Sequence, residues 1–338
     1  MPPRSKRAKL AGTPLTPSNH FALYSGILGD WKYYVETFGL EQHWSTTEVC
    51  HRCHALKCAG PLNFASFRRD FPMREHSDFM DTPGAKNCPL TQIPGFRLDT
   101  ILPETMHGGP LGICLLNNAS TLLELCSEGC WPGGDGPGSW QDKLTTQLAF
   151  AYDDFVGWAE ANHQDHSQRK FGPLKLSLHT LSSWPEFKCK AHNALVIQSW
   201  LSWKTRAVSQ GSAYEELRAG VMWAHDTWFH ICRGGHDFFT DSEVRLLADA
   251  GELMFRGYNA LSSLARDMGR ARYSMRPKHH LMWHAHPDAL RTRRNPAHQW
   301  TCKDEDGMMK MGKVSAKVHC MTIGKRTLQR WLIQFFDD

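Results

Sequence analysis

Cys50 and Cys53 stand two residues apart in VCHRCHALKC (49–58), with His51 and His54 interleaved and Cys58 just beyond. A CxxC turn aims two thiolates at one point, which is half of a structural zinc site. No second CxxC completes it, and no HxxxH follows at finger spacing. The HxxxH that could serve is His280 and His284, in KHHLMWHAH (278–286). On a helix this i, i+4 pair points one way, as ligands of one metal must. His107 and His54 are the substitute ligands. A redox role is the poorer reading of the CxxC, because no thioredoxin-like βαβ pattern surrounds it. The plainer alternative is two loop cysteines and two core or surface histidines.

Asp30 closes FALYSGILGDW (21–31), which reads as a buried strand ending in a Gly-Asp turn. A carboxylate there is placed as a metal ligand would be. Taken alone it is more simply the N-cap of a helix starting at Trp31. Asp304, Glu305 and Asp306 form an acidic spot near the C-terminus, a charge pattern that suits a helix start. Met308, Met309 and Met311 read as core contacts. Arg291, Arg293 and Arg294 could touch phosphates or line a solvated loop. No P-loop, GxGxxG after a strand, GxSxG or HExxH is present, which argues against nucleotide hydrolases, Rossmann enzymes and serine hydrolases.

The elements that must position these residues are mostly helical. WKYYVETFGL (31–40) has helical spacing with Gly39 as its stop. Five prolines between 59 and 98 predict irregular structure with short pieces. A Gly108–Gly109–Pro110 turn then leads into a helix from Leu111 to Cys126. PGGDGPGS (132–139) reads as a flexible linker. From 140 to 270 the periodicity is almost wholly helical, with a capping box at Thr240 and Glu243 opening about seven turns. Leu148, Phe155, Trp158, Trp200, Trp223 and Phe255 are its expected core. TLQRWLIQFF closes the chain with Leu328, Trp331, Leu332 and Phe335 on one helical face. Strand signal is scarce and lies near both ends.

The 338 residues can build a substantial core, and 13 Trp and 17 Phe supply large apolar surfaces. Net charge is only +5, which fits a polyanion partner without demanding one. Eleven cysteines, odd in number, and a basic start without an apolar h-region favour a reducing compartment. Residues 1–19 read as a disordered basic tail. Its Arg4, Lys6, Arg7 and Lys9 could signal nuclear import. No apolar run is long enough to span a membrane.

GDWKYYVETFGLEQHWSTTEVCHRCHA (29–55) resembles a block of the CACTA (En/Spm-like) and Plavaka cut-and-paste DNA transposases, where a strand-end Asp precedes a short helix and a CxxC. DTILPETMHGGPLGICLLNNASTLL (99–123), PKHHLMWHAH (277–286) and NPAHQWTCKDEDGMMKMGK (295–313) are similar to the blocks that follow, in the same order. The resemblance spans roughly residues 21–320. It implies an α+β, predominantly helical chain. An incomplete RNase H-like core would occupy 20–131 and 271–338, with a large all-α insertion at 140–270. It implies that Asp30 is the second catalytic Asp and Glu305 the Glu of a site for magnesium or manganese. The CxxC and HxxxH would then be a structural zinc clamp. The departure from the pattern is the first catalytic Asp, since none of the residues before Asp30 is acidic. The expectation is a fragment or degenerate copy, nuclear, with DNA as partner, self-association open, and little nuclease activity alone. The alternatives are a zinc-stabilised helical DNA-binding or interaction protein without catalysis, and an unrelated enzyme with a His-rich catalytic metal.

Overall fold

The structure is a computed structural model; it describes residues 25–180, 182–301 and the isolated positions 313, 316, 326 and 329. The basic tail, Glu305 with its acidic neighbours, and the apolar face of the last helix lie outside the described residues. Within them the chain is predominantly helical. Pairing is limited to isolated bridges, with no strand ladder.

Helix α1 (Trp31–Phe38) begins because the Asp30 carboxylate accepts from the Tyr33 N–H at 2.6 Å. It stops at Gly39, whose φ of 59° is cheap only for glycine. Its Tyr34 and Phe38 sit in a small core with Phe79, Phe96 and Ile101. The strand expected at 21–31 is reduced, among the described residues, to one parallel bridge of Ile27 with Ile101. The partner side explains this. The Ile101 backbone leaves a 3-10 turn, and Pro103, which has no N–H, comes two residues later.

Short helices α2 (His76–Met80) and α3 (Pro83–Asn87) fill the proline-rich stretch, as expected. Helix α4 (Thr105–Gly108) then runs through a π turn, Gly109–Ile113, into α5 (Cys114–Ser127). The predicted Gly-Gly-Pro turn is thus helical. Its glycines are needed for closeness instead of for a reversal. A Cβ on Gly109 would lie 2.5 Å from the Phe229 ring, and one on Gly108 2.7 Å from Met282 Sδ. Residues 132–139 form successive turns before α6 (Trp140–Ala161).

Helices α7 (Ala191–Val208), α8 (Ala213–Gly234), α9 (Asp241–Glu252) and α10 (Tyr258–Asp267) complete the block. Residues 162–180 and 182–190 are irregular apart from a 3-10 turn, so the almost wholly helical reading of 140–270 fails there. Gly172, Pro173 and Pro185 are the breakers. The capping box at Thr240 and Glu243 forms as read. A π turn, Leu253–Gly257, joins α9 to α10 in one run. Leu148, Phe155, Trp200 and Phe255 are fully buried, whereas Trp158 and Trp223 are half-buried at the edge of the cluster. One apolar cluster joins α5, the block and Met282, Trp283 and Ala289 of α11 (Pro277–Thr292).

Candidate metal centre

The CxxC lies in a knuckle, not a hairpin. The Val49 N–H donates to the Ala55 carbonyl at 3.0 Å, and the His54 N–H to Pro72 at 3.0 Å. Arg74 Nε donates to both the Cys50 and Cys53 carbonyls, at 3.1 and 3.2 Å. These bonds fix the backbone on either side of the two cysteines. Helix α11 supplies the other half. Pro277 at its first position suits a helix start, and the i, i+4 spacing stacks His280 and His284 on one face.

The two halves meet. Cys50 Sγ lies 3.3 Å from His284 Nε2, and Cys53 Sγ 3.1 Å from His280 Nε2. All four ligand atoms fall within 4.8 Å of one another, and all four residues are buried. A tetrahedral zinc with bonds of about 2.0–2.3 Å spaces its ligand atoms about 3.3–3.8 Å apart, so the cluster has the right size. It can hold a metal ion such as zinc. His280 Nδ1 lies 3.1 Å from the Phe64 carbonyl. That bond makes Nδ1 the protonated nitrogen and leaves Nε2 as the lone-pair ligand, the usual outer-shell arrangement of a metal histidine.

The electrostatics agree with the donor set. Burial alone would push the Cys50 thiol up. The Cys53 hydrogen bond and the neighbouring His284 and His280 outweigh it, and hold Cys50 well below the usual thiol range. Cys53 is pushed the other way, first by its hydrogen bond to Cys50 and then by burial. The two thiols are thus pushed in opposite directions, and a divalent cation beside them would favour ionisation of both. His284 is held below the usual imidazole range by burial, with the Cys50 charge pulling back. A neutral imidazole is the form that ligates. Arg52 Nη1 reaches Asp288 Oδ2 at 2.7 Å, tying the knuckle to α11 one turn past His284. The Arg52 N–H donates to Cys50 Sγ at 3.3 Å.

The remaining sequence candidates lie elsewhere. His107 is not in the cluster; its Nδ1 sits 2.7 Å from Glu104, on α4. His54 is half-buried in the knuckle and outside the four. Asp30 is exposed and acts as the cap of α1. Arg291 and Arg293 pair with Asp288 and Asp241, at 3.3 and 2.5 Å. Glu305 lies outside the described residues. Reasoning from the sequence missed Arg74, the Phe64 carbonyl and the Arg52–Asp288 pair, none of which carries a local signal. It also missed Glu104, a buried carboxylate accepting from the Met106, His107 and Thr301 N–H groups. A Glu ahead of a short helix in PETMH was the available hint.

Comparison with family models, curated proteins and solved structures gives no match.

Proposed function

We propose that this chain is a zinc-clamped helical protein that binds DNA and does not cut it. The observation that carries this is the closed cluster of Cys50, Cys53, His280 and His284. Four buried protein ligands leave no open position for substrate or water, so the metal acts on the fold and not on a reaction. DNA as partner rests on the resemblance to CACTA and Plavaka transposases, whose CxxC and HxxxH blocks are the two that meet here. A net charge of +5 and exposed guanidiniums such as Arg69 and Arg97 are compatible with phosphate contacts. In this reading the metal is zinc and the setting is nuclear.

The second reading is a transposase-derived RNase H-like centre in which Asp30 and Glu305 hold magnesium or manganese. The ordered resemblance and the zinc pairing it implies favour it. Against it, Asp30 is exposed and engaged as a helix cap, and no sheet occurs among the described residues. One pair of assays separates the readings. Fluorescence anisotropy across a salt series should find duplex binding whose affinity falls linearly in log–log form. Incubation with Mg²⁺ or Mn²⁺ should leave plasmid un-nicked, with or without Asp30→Ala or Glu305→Ala. Cleavage lost in both variants would install the second reading. Absence of binding at low salt would remove DNA as the partner.

A further inference from the structure

A solvent-open cavity of about 190 Å³ lies between the end of α5, the start of α6 and the irregular stretch before α7. Leu123, Trp140, Leu144 and Leu178 make its apolar walls. Lys143 and Arg272 bring positive charge, and no carboxylate of a described residue lines it. This site shares no residue with the Cys–His cluster.

The charges behind the cavity do not balance. Arg218 takes Glu128 for itself, in a bidentate pair at 2.6 and 2.8 Å. Glu124 is fully buried and serves two guanidiniums: Arg270 at 2.5 Å and Arg272 at 3.4 Å. Three guanidiniums thus face two carboxylates. Arg272 is the loosely held one. Its Nε is the atom 3.4 Å from Glu124 Oε1, an ion-pair contact that makes no hydrogen bond, and its Nη1 donates to the Ala271 carbonyl at 3.0 Å. Burial pushes its pKa down from the guanidinium's ordinary value. Lys143 makes no ion pair with a described residue. A largely buried charge without a full partner is costly, and an anion placed beside it offsets that cost.

We propose that the cavity binds a small aromatic carboxylate, its ring against Trp140 and its carboxylate between Lys143 and Arg272. Size argues for one ring, since a cavity of about 150 Å³ already takes benzene. The apolar walls argue against a sugar or an inorganic anion. The two cations argue against a neutral arene. The half-buried Trp140 offers a face or edge for stacking.

The test uses the zinc-loaded full chain, with benzoate and 2-naphthoate as probes and toluene as the neutral control. Ligand-observed NMR titration should give saturable binding. A ligand of about ten heavy atoms in such a site reaches a Kd on the order of 0.1–1 mM. Lys143→Glu, on the partly exposed rim, should weaken benzoate about tenfold, and toluene should bind at least about tenfold more weakly than benzoate. Leu144→Trp, which fills the half-buried wall, should abolish binding while melting temperature and zinc content stay as in the parent chain. Absence of saturable binding by either carboxylate overturns the proposal. So does toluene binding as tightly as benzoate, or benzoate binding indifferent to Lys143→Glu. Should Leu144→Trp fail to fold, the Lys143→Glu and toluene comparisons decide alone.

Discussion

The knuckle around Cys50 and the helical block around Trp200 are both buried, but by different means. The knuckle's apolar cluster is small, and two of its members, Cys50 and Cys53, are themselves metal-ligand candidates. Its backbone is held by isolated bridges and by Arg74 on two carbonyls. The block needs no such help. Trp200 sits within 6.0 Å, centroid to centroid, of Trp131, Phe155 and Phe171. Helix α11 belongs to both regions: His280 and His284 face the knuckle, while Met282 and Trp283 join the main core. A region with little apolar area to bury is the one a bound metal would stabilise most, and one rich in aromatic rings needs it least. Perturbations should therefore separate the two.

The largest effect is expected from the metal. Structural zinc contributes on the order of 10 kcal/mol of apparent binding free energy in small finger peptides. A Cys50→Ser, Cys53→Ser double variant should lose its zinc, and hydrogen exchange should show residues 41–75 opening. The far-ultraviolet helical signal of the block should persist. Unchanged zinc content and melting temperature would refute the clamp. Next comes Trp200→Ala, which removes a fully buried indole and should cost about 3–5 kcal/mol in urea unfolding. Zinc stoichiometry of the folded variant should stay at the parent value. Zinc lost along with core stability would mean that the two regions are not separable.

Acid should weaken the block in its own way. His225 is fully buried, with Nδ1 3.0 Å from the Val221 carbonyl, and burial pushes its pKa down to about 4. The unfolded imidazole titrates near 6.5 and so binds its proton first as pH falls. Stability from the neutral ring is therefore complete above about pH 6.5, declines between 6.5 and 4, and levels off below. The full loss is on the order of 3 kcal/mol. His225→Phe should flatten that part of the stability-versus-pH curve, and an identical slope in both proteins would contradict the assignment. The smallest effect is at Asp30. Asp30→Ala should cost about 1 kcal/mol as a lost cap, and Asp30→Asn should restore most of it. Zinc content should not move in either.

Legibility in the sequence followed locality. The Thr240–Glu243 capping box, the Gly39 stop and the i, i+4 histidine pair are all written within a few residues, and the structure realises them. The pairing of CxxC with HxxxH was legible as the leading option, with His107 and His54 left open, because metal chemistry demands more ligands than either motif holds. The Ile27 strand was not. An apolar run says that a segment is buried and does not say whether a partner strand exists. The helical reading of Gly108–Gly109–Pro110 depends on Phe229 and Met282 arriving from distant helices. The outer-shell partners Arg74 and the Phe64 carbonyl depend on tertiary approach in the same way.

The central claim is that two cysteines and two histidines from opposite ends of the chain share one metal. Zinc-edge X-ray absorption on the purified protein addresses it directly. The expected result is about one zinc per chain, with two sulfur neighbours near 2.3 Å and two nitrogen neighbours at about 2.0–2.1 Å. His280→Ala and His284→Ala should each remove nitrogen scattering and lower occupancy. A shell made only of oxygen and nitrogen, or four sulfurs with neither histidine, would contradict the account.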